Sequence, residues 1–566
     1  RKNALASKHF YLCYNKQTDI KSQTTFSRCY AQRLIKAGLS VFNLSPVSGK
    51  KQIFQGIKAD FTSSAVFIKE VNIMKYISTR GGCEPCSSAQ AIKQGLAGDG
   101  GLFLPDRMPE LSDQMLKELC ACDYPTRAAK VLYMFLNDDY TYDELLSDCK
   151  EAYSEAGFPG GPAPISSIGD NIRVLELWHG PTSAFKDMAL QIMPRLFSRA
   201  IKKTNDKRQA LILVATSGDT GKAALEGYRD IDGVRIMVFY PQSGVSRVQK
   251  LQMATQTGNN VFVQSVIGNF DDAQNGVKKI FGSDEMRAQL DSKGIFLSSA
   301  NSINWGRLVP QVVYYISAYC DLVNKGDITI GEDINVCVPT GNFGNILAAY
   351  IAKMMGLPIH DLVCASNKNK ILTDFFETGI YDRNREFYTT ASPSMDILIS
   401  SNLERLLYLK SGSEKTAEYM KELSEKGKYR IGQSCFNSIT RSFCGGYCDE
   451  ENTAKTIKHI YEDYNYLCDT HTAVAMYCTE NFLKNVDGKR KILTVSTASP
   501  YKFSPSVYAA LTGEHFENEL DAIGALLKLT GVEIPLPLKD IEKREIRFDP
   551  EKSIKAEDMP KAVLNF

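Results

Sequence analysis

"DINVCVPTGNFGNILAAYIAKMMG", residues 333–356, reads as three pieces in succession. "INVCVP" is a short apolar run of the kind found in strands buried on both faces. "TGNFGN" is a turn built on two glycines, and the text after it has the apolar density of a buried helix. A strand that hands over to a helix through a glycine turn is the building unit of a parallel α/β sheet.

The unit recurs on both sides. Upstream, "RQALILVAT" (208–216) reads as a buried strand followed by the turn and helix of "SGDTGKAALEGYR". "VRIMVFYP" and "NNVFVQSVIGN" are strands, followed by helical "SRVQKLQMAT" and "FDDAQNGVKKIFG". Downstream, "IHDLVCASN" and "KRKILTVSTASP" are strands. This alternation predicts parallel sheets covered by helices on both faces. Before it, residues 74–161 form a mainly helical, partly acidic region that ends in the Gly/Pro-rich linker "GFPGGPAPIS". We therefore expect an N-terminal unit at 74–165, a core at 166–500 with a smaller part at about 200–305, and a C-terminal segment at 501–566. The first 73 residues carry twelve Lys or Arg against three acids. They read as a transit-like extension or, in the reading we favour, as translated upstream sequence ahead of a start at Met74.

With 566 residues the chain exceeds a single core. A net charge of +2, 43% hydrophobic and 23% charged residues describe an ordinary globular protein with no nucleic-acid or membrane partner. The 15 cysteines are scattered through apparent core strands, which fits reduced thiols in the cytoplasm. Cys83 and Cys86 form a C-x-x-C without a second ligand pair, Cys444 and Cys448 are equally isolated, and six histidines show no metal-ligand spacing, so no metal is expected.

Ligands of open α/β sheets bind beyond the carboxyl ends of strands, and each notable motif here follows an apolar run. "TGNFGN" is either a phosphate cradle or a tight turn; it lacks a Walker lysine and the third glycine of a dinucleotide fingerprint. "TSGDTGK" (216–222) holds a carboxylate or caps the next helix. "NSINWGR" (301–307) offers Asn301, Ser302, Asn304 and Arg307 as a grip for a phosphate monoester, unless the arginine is merely solvated. Lys186 in "HGPTSAFKD" stands beside an aromatic near a helix start, where desolvation would free its amine for a Schiff base; otherwise it is a surface lysine paired with Asp187. A carbonyl-seeking amine between two anion sites points to pyridoxal 5′-phosphate.

In combination and order, "YISTRGG", "GLAGDGGLFLP", "HGPTSAFKD", "ATSGDTGKAA", "NSINWGR", "PTGNFGN", "SPSMDI", "SNLER", "DTHTAVA", "STASPYKF" and "LTGVEIP" resemble the threonine synthase family, in its longer bacterial and fungal class, from Met74 to about residue 540. The resemblance implies a fold-type-II enzyme: two doubly wound, mostly parallel α/β domains with the active site between them. It implies Lys186 as the Schiff-base lysine and Gly341, Asn342, Phe343, Gly344 and Asn345 around the cofactor phosphate. Thr497 would face the pyridine nitrogen, and Asp219 would stand near the cofactor hydroxyl. Asn301, Ser302 and Arg307 would take the substrate phosphate, and Ser217 and Thr220 its carboxylate. The implied reaction turns O-phospho-L-homoserine and water into L-threonine and phosphate, in a cytoplasmic monomer or homodimer. The alternatives are a phospho-lyase yielding 2-oxobutyrate and a serine/threonine dehydratase. Thr470 and Ser499 depart from the family's usual proline and histidine.

Overall fold

The computed structural model describes residues 74–486, 489–516 and 518–566. The readings made for residues 1–73 lie outside them. Two separate sheets carry the loops of the quoted motifs. The larger has six strands in the order β13 (Phe443–Tyr447), β10 (Ile359–Ser366), β9 (Ile334–Pro339), β14 (Ile492–Ser496), β4 (Ile172–Glu176) and β3 (Ile165–Ile168). Every pairing is parallel except that of β3 with β4. The smaller is wholly parallel, in the order β7 (Val261–Val266), β6 (Val234–Pro241), β5 (Gln209–Ala215) and β8 (Ile295–Ser298).

Burial explains the pattern of each strand. All residues of the inner strands β4, β9 and β14 are buried, which is why they read as unbroken apolar runs. The antiparallel edge strand β3 leaves Ser166 half-buried and Ser167 exposed. Both sheets are doubly wound. In the smaller, the chain moves outward from β5 through β6 to β7 and returns to place β8 on the opposite side of β5. That reversal opens a crevice beyond the carboxyl ends of β5 and β8. In the larger, β14 enters between β9 and β4, so three neighbouring strands deliver the loops of "TGNFGN", "STASP" and "HGPTSAFKD" to one edge.

The helix Trp305–Asn324 begins just after β8 and is buried around nearly its whole circumference, so it is a core helix. It packs on the helices Gly344–Met355 and Tyr124–Leu136. Ahead of the sheets lie four helices, Ser88–Gln94, Asp113–Cys120, Tyr124–Leu136 and Tyr142–Ala152, and a small antiparallel pair, β1 (Tyr76–Ser78) with β2 (Phe103–Pro105). A second such pair joins β11 (Ile380–Asp382) to β12 (Lys428–Arg430). The C-terminal end returns to the smaller sheet: Ile554 bridges to Val266 of β7, and Met559 packs against Gly276. No helix among the described residues is long and apolar enough to cross a membrane.

Candidate active site

Lys186 is buried to 9% exposure, and its ammonium does not pair with its neighbour Asp187. Asp187 turns back into its own loop, where its carboxylate accepts from the N–H of Thr182 at 2.8 Å and from the Thr182 hydroxyl at 2.7 Å. A side chain on Gly180 would collide with that carboxylate, so the loop closes only over glycine. Ser183, in the same loop, is held at φ 58°, a left-handed conformation that non-glycine residues rarely keep outside functional sites. Lys186 Nζ instead reaches Asp219 Oδ2 and Ser394 Oγ, each at 3.4 Å, and lies 4.9 Å from the centre of the Phe185 ring. Burial lowers the affinity of this amine for its proton. Asp219 opposes that effect, while Lys502 and Arg307 add to it.

Asp219 opens the helix Asp219–Tyr228 after β5. Burial works against its charge, but Lys502 and Lys186 outweigh burial and hold the carboxyl below its ordinary range. In the same loop Thr216 Oγ1 accepts from the N–H groups of Gly218 and Gly221, both at 2.9 Å. Neither Ser217 nor Thr220 caps the helix, and among the described residues the N–H groups of Ser217, Asp219 and Thr220 have no protein acceptor. Lys222 leaves the site, its Nζ bound by Glu226 at 3.0 Å.

After β9, the N–H groups from Gly341 to Asn345 likewise have no protein acceptor among the described residues. Phe343, at φ 65°, bends the chain so that these amides open the helix Gly344–Met355 without a side-chain cap. The Phe343 ring packs against Phe376 and Phe443 and so holds the bend. Asn345 Oδ1 accepts from the hydroxyls of Tyr314 and Tyr315, while its buried Nδ2 is left without a partner. Uncapped amides at a helix start, with an orphaned amide donor beside them, suit an anion.

Side chains from distant parts of the chain join these loops. The Ser400 hydroxyl donates to Gly341 O at 2.7 Å; Asn402 Nδ2 donates to Asn342 O at 3.1 Å and to Ser302 Oγ at 3.4 Å. Asn402 is fixed by the wholly buried Arg405, which also bonds Phe103 O and Ile303 O. Beside it, Glu404 pairs with Arg80 at 3.0 Å. The "SNLER" and "YISTRGG" motifs are thus one structure. Thr497 O accepts from Phe185 N–H at 2.8 Å, which draws Thr497 to Lys186.

Arg307, in the first turn of the core helix, is 5% exposed and donates to Ala300 O at 2.8 Å. Burial pulls its guanidinium down to about 10, and no carboxylate faces it among the described residues. Asn301 is exposed and Ser302 half-buried.

Sequence reasoning picked out the loops but missed Lys502, Ser394, Asn402 and the two tyrosines. It also missed His471, which lies behind Ser394. Its Nε2 accepts the Ser394 N–H at 3.2 Å, so Nδ1 carries the proton that it donates to Asp469 at 2.7 Å. "SPSMDI" and "DTHTAVA" were quoted as motifs, but a motif does not say which loop it meets.

The family model described as "Threonine synthase N terminus" matches residues 75–153, and the one described as "Pyridoxal-phosphate dependent enzyme" matches 162–498. The threonine synthase of Saccharomyces cerevisiae is 36% identical over 502 residues, covering 84% of this chain and 96% of its own. The chain belongs to the threonine synthase family. The human protein "Threonine synthase-like 1" is 38% identical over 518 residues, covering 88% of this chain and 68% of its own. A crystal structure of pyridoxal-phosphate-bound threonine synthase from Brucella melitensis superposes with a TM-score of 0.77 at 35% identity, covering 87% of this chain and 99% of that one.

As a member of the family the chain is a pyridoxal-phosphate-dependent lyase with the fold expected from its motifs. The residues present fit the cofactor. They provide a buried amine with weakened hold on its proton, a row of unpartnered amides for the phosphate, and Thr497 at the end of the strand between them.

Proposed function

We propose that the chain is a threonine synthase, converting O-phospho-L-homoserine and water into L-threonine and phosphate. The observation that carries this reading is the second anion site. After β8 the chain carries a buried arginine and, after the neighbouring β5, three amides beside Ser217 and Thr220; among the described residues the arginine has no acidic partner and the amides no protein acceptor. A substrate with a carboxylate at one end and a phosphate monoester at the other matches that pair of sites.

In this reading Lys186 carries the cofactor, the amides from Gly341 to Asn345 hold its phosphate, and Thr497 and Asp219 flank its ring. Bound there, the cofactor supplies an electron sink for charge left at the substrate α-carbon. The remaining work belongs to the chain. Ser217, Thr220 and the amides of their loop hold the substrate carboxylate and fix the α-carbon against Lys186 Nζ. Lys186, with little hold on its proton, takes the α-proton and returns one later in the cycle. Ser394 Oγ and Asp219 Oδ2 keep Nζ in place between these transfers. Arg307, Asn301 and Ser302 grip the phosphate and stabilise it as it leaves. Burial of the surrounding loops limits the water that reaches the β-carbon.

The boundaries near residues 165 and 500, with a smaller part at about 200–305, belong to the same proposal. The membership of the two sheets supports them. The free cysteines among the described residues support a reducing, cytoplasmic setting.

The test is to supply O-phospho-L-homoserine and follow the products. Threonine and phosphate in equal amounts are expected; 2-oxobutyrate with ammonia in place of threonine would make the protein a phospho-lyase.

A further inference from the structure

Lys502 takes part in this site although no motif role is assigned to it. It lies in the 3₁₀ turn Pro500–Phe503, in the segment that runs on from β14 through Thr497. Its side chain has no exposed surface. Nζ lies 2.7 Å from Asp219 Oδ1 and donates to Thr182 O at 3.0 Å and to Gln252 Oε1 at 3.3 Å. Gln249 Nε2 also donates to Asp219 Oδ1, at 2.8 Å. The two oxygens of Asp219 are therefore unequal. Oδ1 is held by two short bonds, whereas Oδ2 faces Lys186 and Ser394 at 3.4 Å each.

We propose that Lys502 is a positioning residue: it pins Asp219 through Oδ1 and takes up its charge, leaving Lys186 without a full counter-ion beside the reacting atoms. The proposal rests on the reading of Lys186 as the cofactor lysine. It follows from counting charges in a buried space. Two further cations, Lys502 and Arg307, act on Lys186 there. Asp219 is the carboxylate in contact with the two lysines, and Asp187 is engaged by Thr182. Ser394 approaches Lys186 from the loop of residues 392–397, backed by the His471–Asp469 pair; Gln249 approaches Asp219 from the helix Arg247–Ala254. Lys222 and Glu226, on the helix of Asp219, pair with each other. The shorter contact gives Asp219 to Lys502. Lys502, paired with Asp219 beside Lys186, thus makes its neighbour a better free amine, and the backbone bond from Phe185 to Thr497 keeps both on one rigid edge.

The experiment follows the bound cofactor's visible absorbance across pH in the holoenzyme, which reports protonation of the nitrogen that links it to Lys186. In Lys502→Met, Asp219 has only Lys186 to neutralise and a repelling cation is gone, so the protonated nitrogen is favoured. The midpoint should move up by about one pH unit or more, the scale on which a charge at this range acts. Lys502→Arg, which keeps the charge, should stay near the parent. An unmoved midpoint in Lys502→Met overturns the proposal, because a merely structural lysine would lower the melting temperature and leave the midpoint in place. If Lys502→Met alone does not fold, the pair Lys502→Met with Asp219→Asn replaces it. Removing both charges should give a protein that folds and melts above either single variant, and a pair no more stable than its weaker member overturns the proposal. Lys186→Ala separates the two readings. Loss of the borohydride-trapped cofactor supports the lysine assignment, and persistence of that covalent cofactor overturns both.

Discussion

Asp187 follows Lys186 directly in the chain, yet the two side chains enter opposite environments. Asp187 is fully buried with two donors from Thr182 and no cation in contact, so burial pushes its carboxyl up to about 7. The consequence for stability has a definite sign. The folded state holds this proton more tightly than the unfolded chain does, so the stabilisation is complete below the usual carboxylate range and is lost as pH rises through about 7. Asp187→Asn removes the titration while keeping both contacts: the amide oxygen accepts from Thr182 N–H and the amide nitrogen donates to the Thr182 hydroxyl. The variant should melt closest to the parent near pH 4 and clearly above it at pH 8, by up to about 4 kcal/mol for a shift of this size. Thermal melts at the two pH values decide it, and equal melting at both would show that Asp187 is ionised at little cost. Nothing in "FKD" distinguishes the two residues. Which one becomes the reactive centre depends on Thr182, five positions before Asp187, and on Asp219, thirty-three positions after Lys186.

At the scale of elements, the strand-to-helix units and their glycine loops were legible because each is local. "INVCVP", "TGNFGN" and the helix that follows are contiguous, and burial on both faces makes the strand apolar throughout. The contacts that complete the site join residues far apart in sequence: Ser400 and Asn402 with the loop some 60 positions earlier, and Ser394 with Lys186 208 positions away. Spacing carries no signal at such separations, and nothing within "STASPYKF" sets Lys502 apart. Gly341 sits where two such elements press together. A Cβ there would lie 2.6 Å from the carbonyl oxygen of Ser394. Backbone cannot yield as a flexible side chain would, so Gly341→Ala must push apart the phosphate loop and the loop of residues 392–397. We expect it to lower cofactor content and Ser394-dependent activity together, at a cost of about 1–3 kcal/mol in folding stability. Absorbance per protein and a thermal melt check this; full cofactor content with parental stability would mean that the loops move freely.

The whole molecule carries a net charge of +2 over 566 residues, but the crevice between its sheets does not share that balance. Lys186, Lys502 and Arg307 converge there with Asp219 as the carboxylate in contact with the two lysines, and among the described residues no acid faces the buried Arg307. Holding an unpaired guanidinium out of water is a cost that the fold bears until an anion arrives. Two results should follow in the holoenzyme if, as proposed, the cofactor takes the amides of Gly341 to Asn345 and leaves Arg307 as the open anion site. In chloride, Arg307→Gln should melt no lower than the parent, because it removes a charge that has no partner. In phosphate at matched ionic strength, the parent should gain stability over chloride by mass action, about 2.7 kcal/mol at a hundredfold excess over the dissociation constant, or roughly 2–3 °C for a chain of this size. Phosphate also stabilises proteins by exclusion from their surfaces, and that part persists in Arg307→Gln. The difference between parent and variant isolates the site. Equal increments would place no anion at Arg307 and would leave the phosphate of the proposed substrate to Asn301 and Ser302 alone.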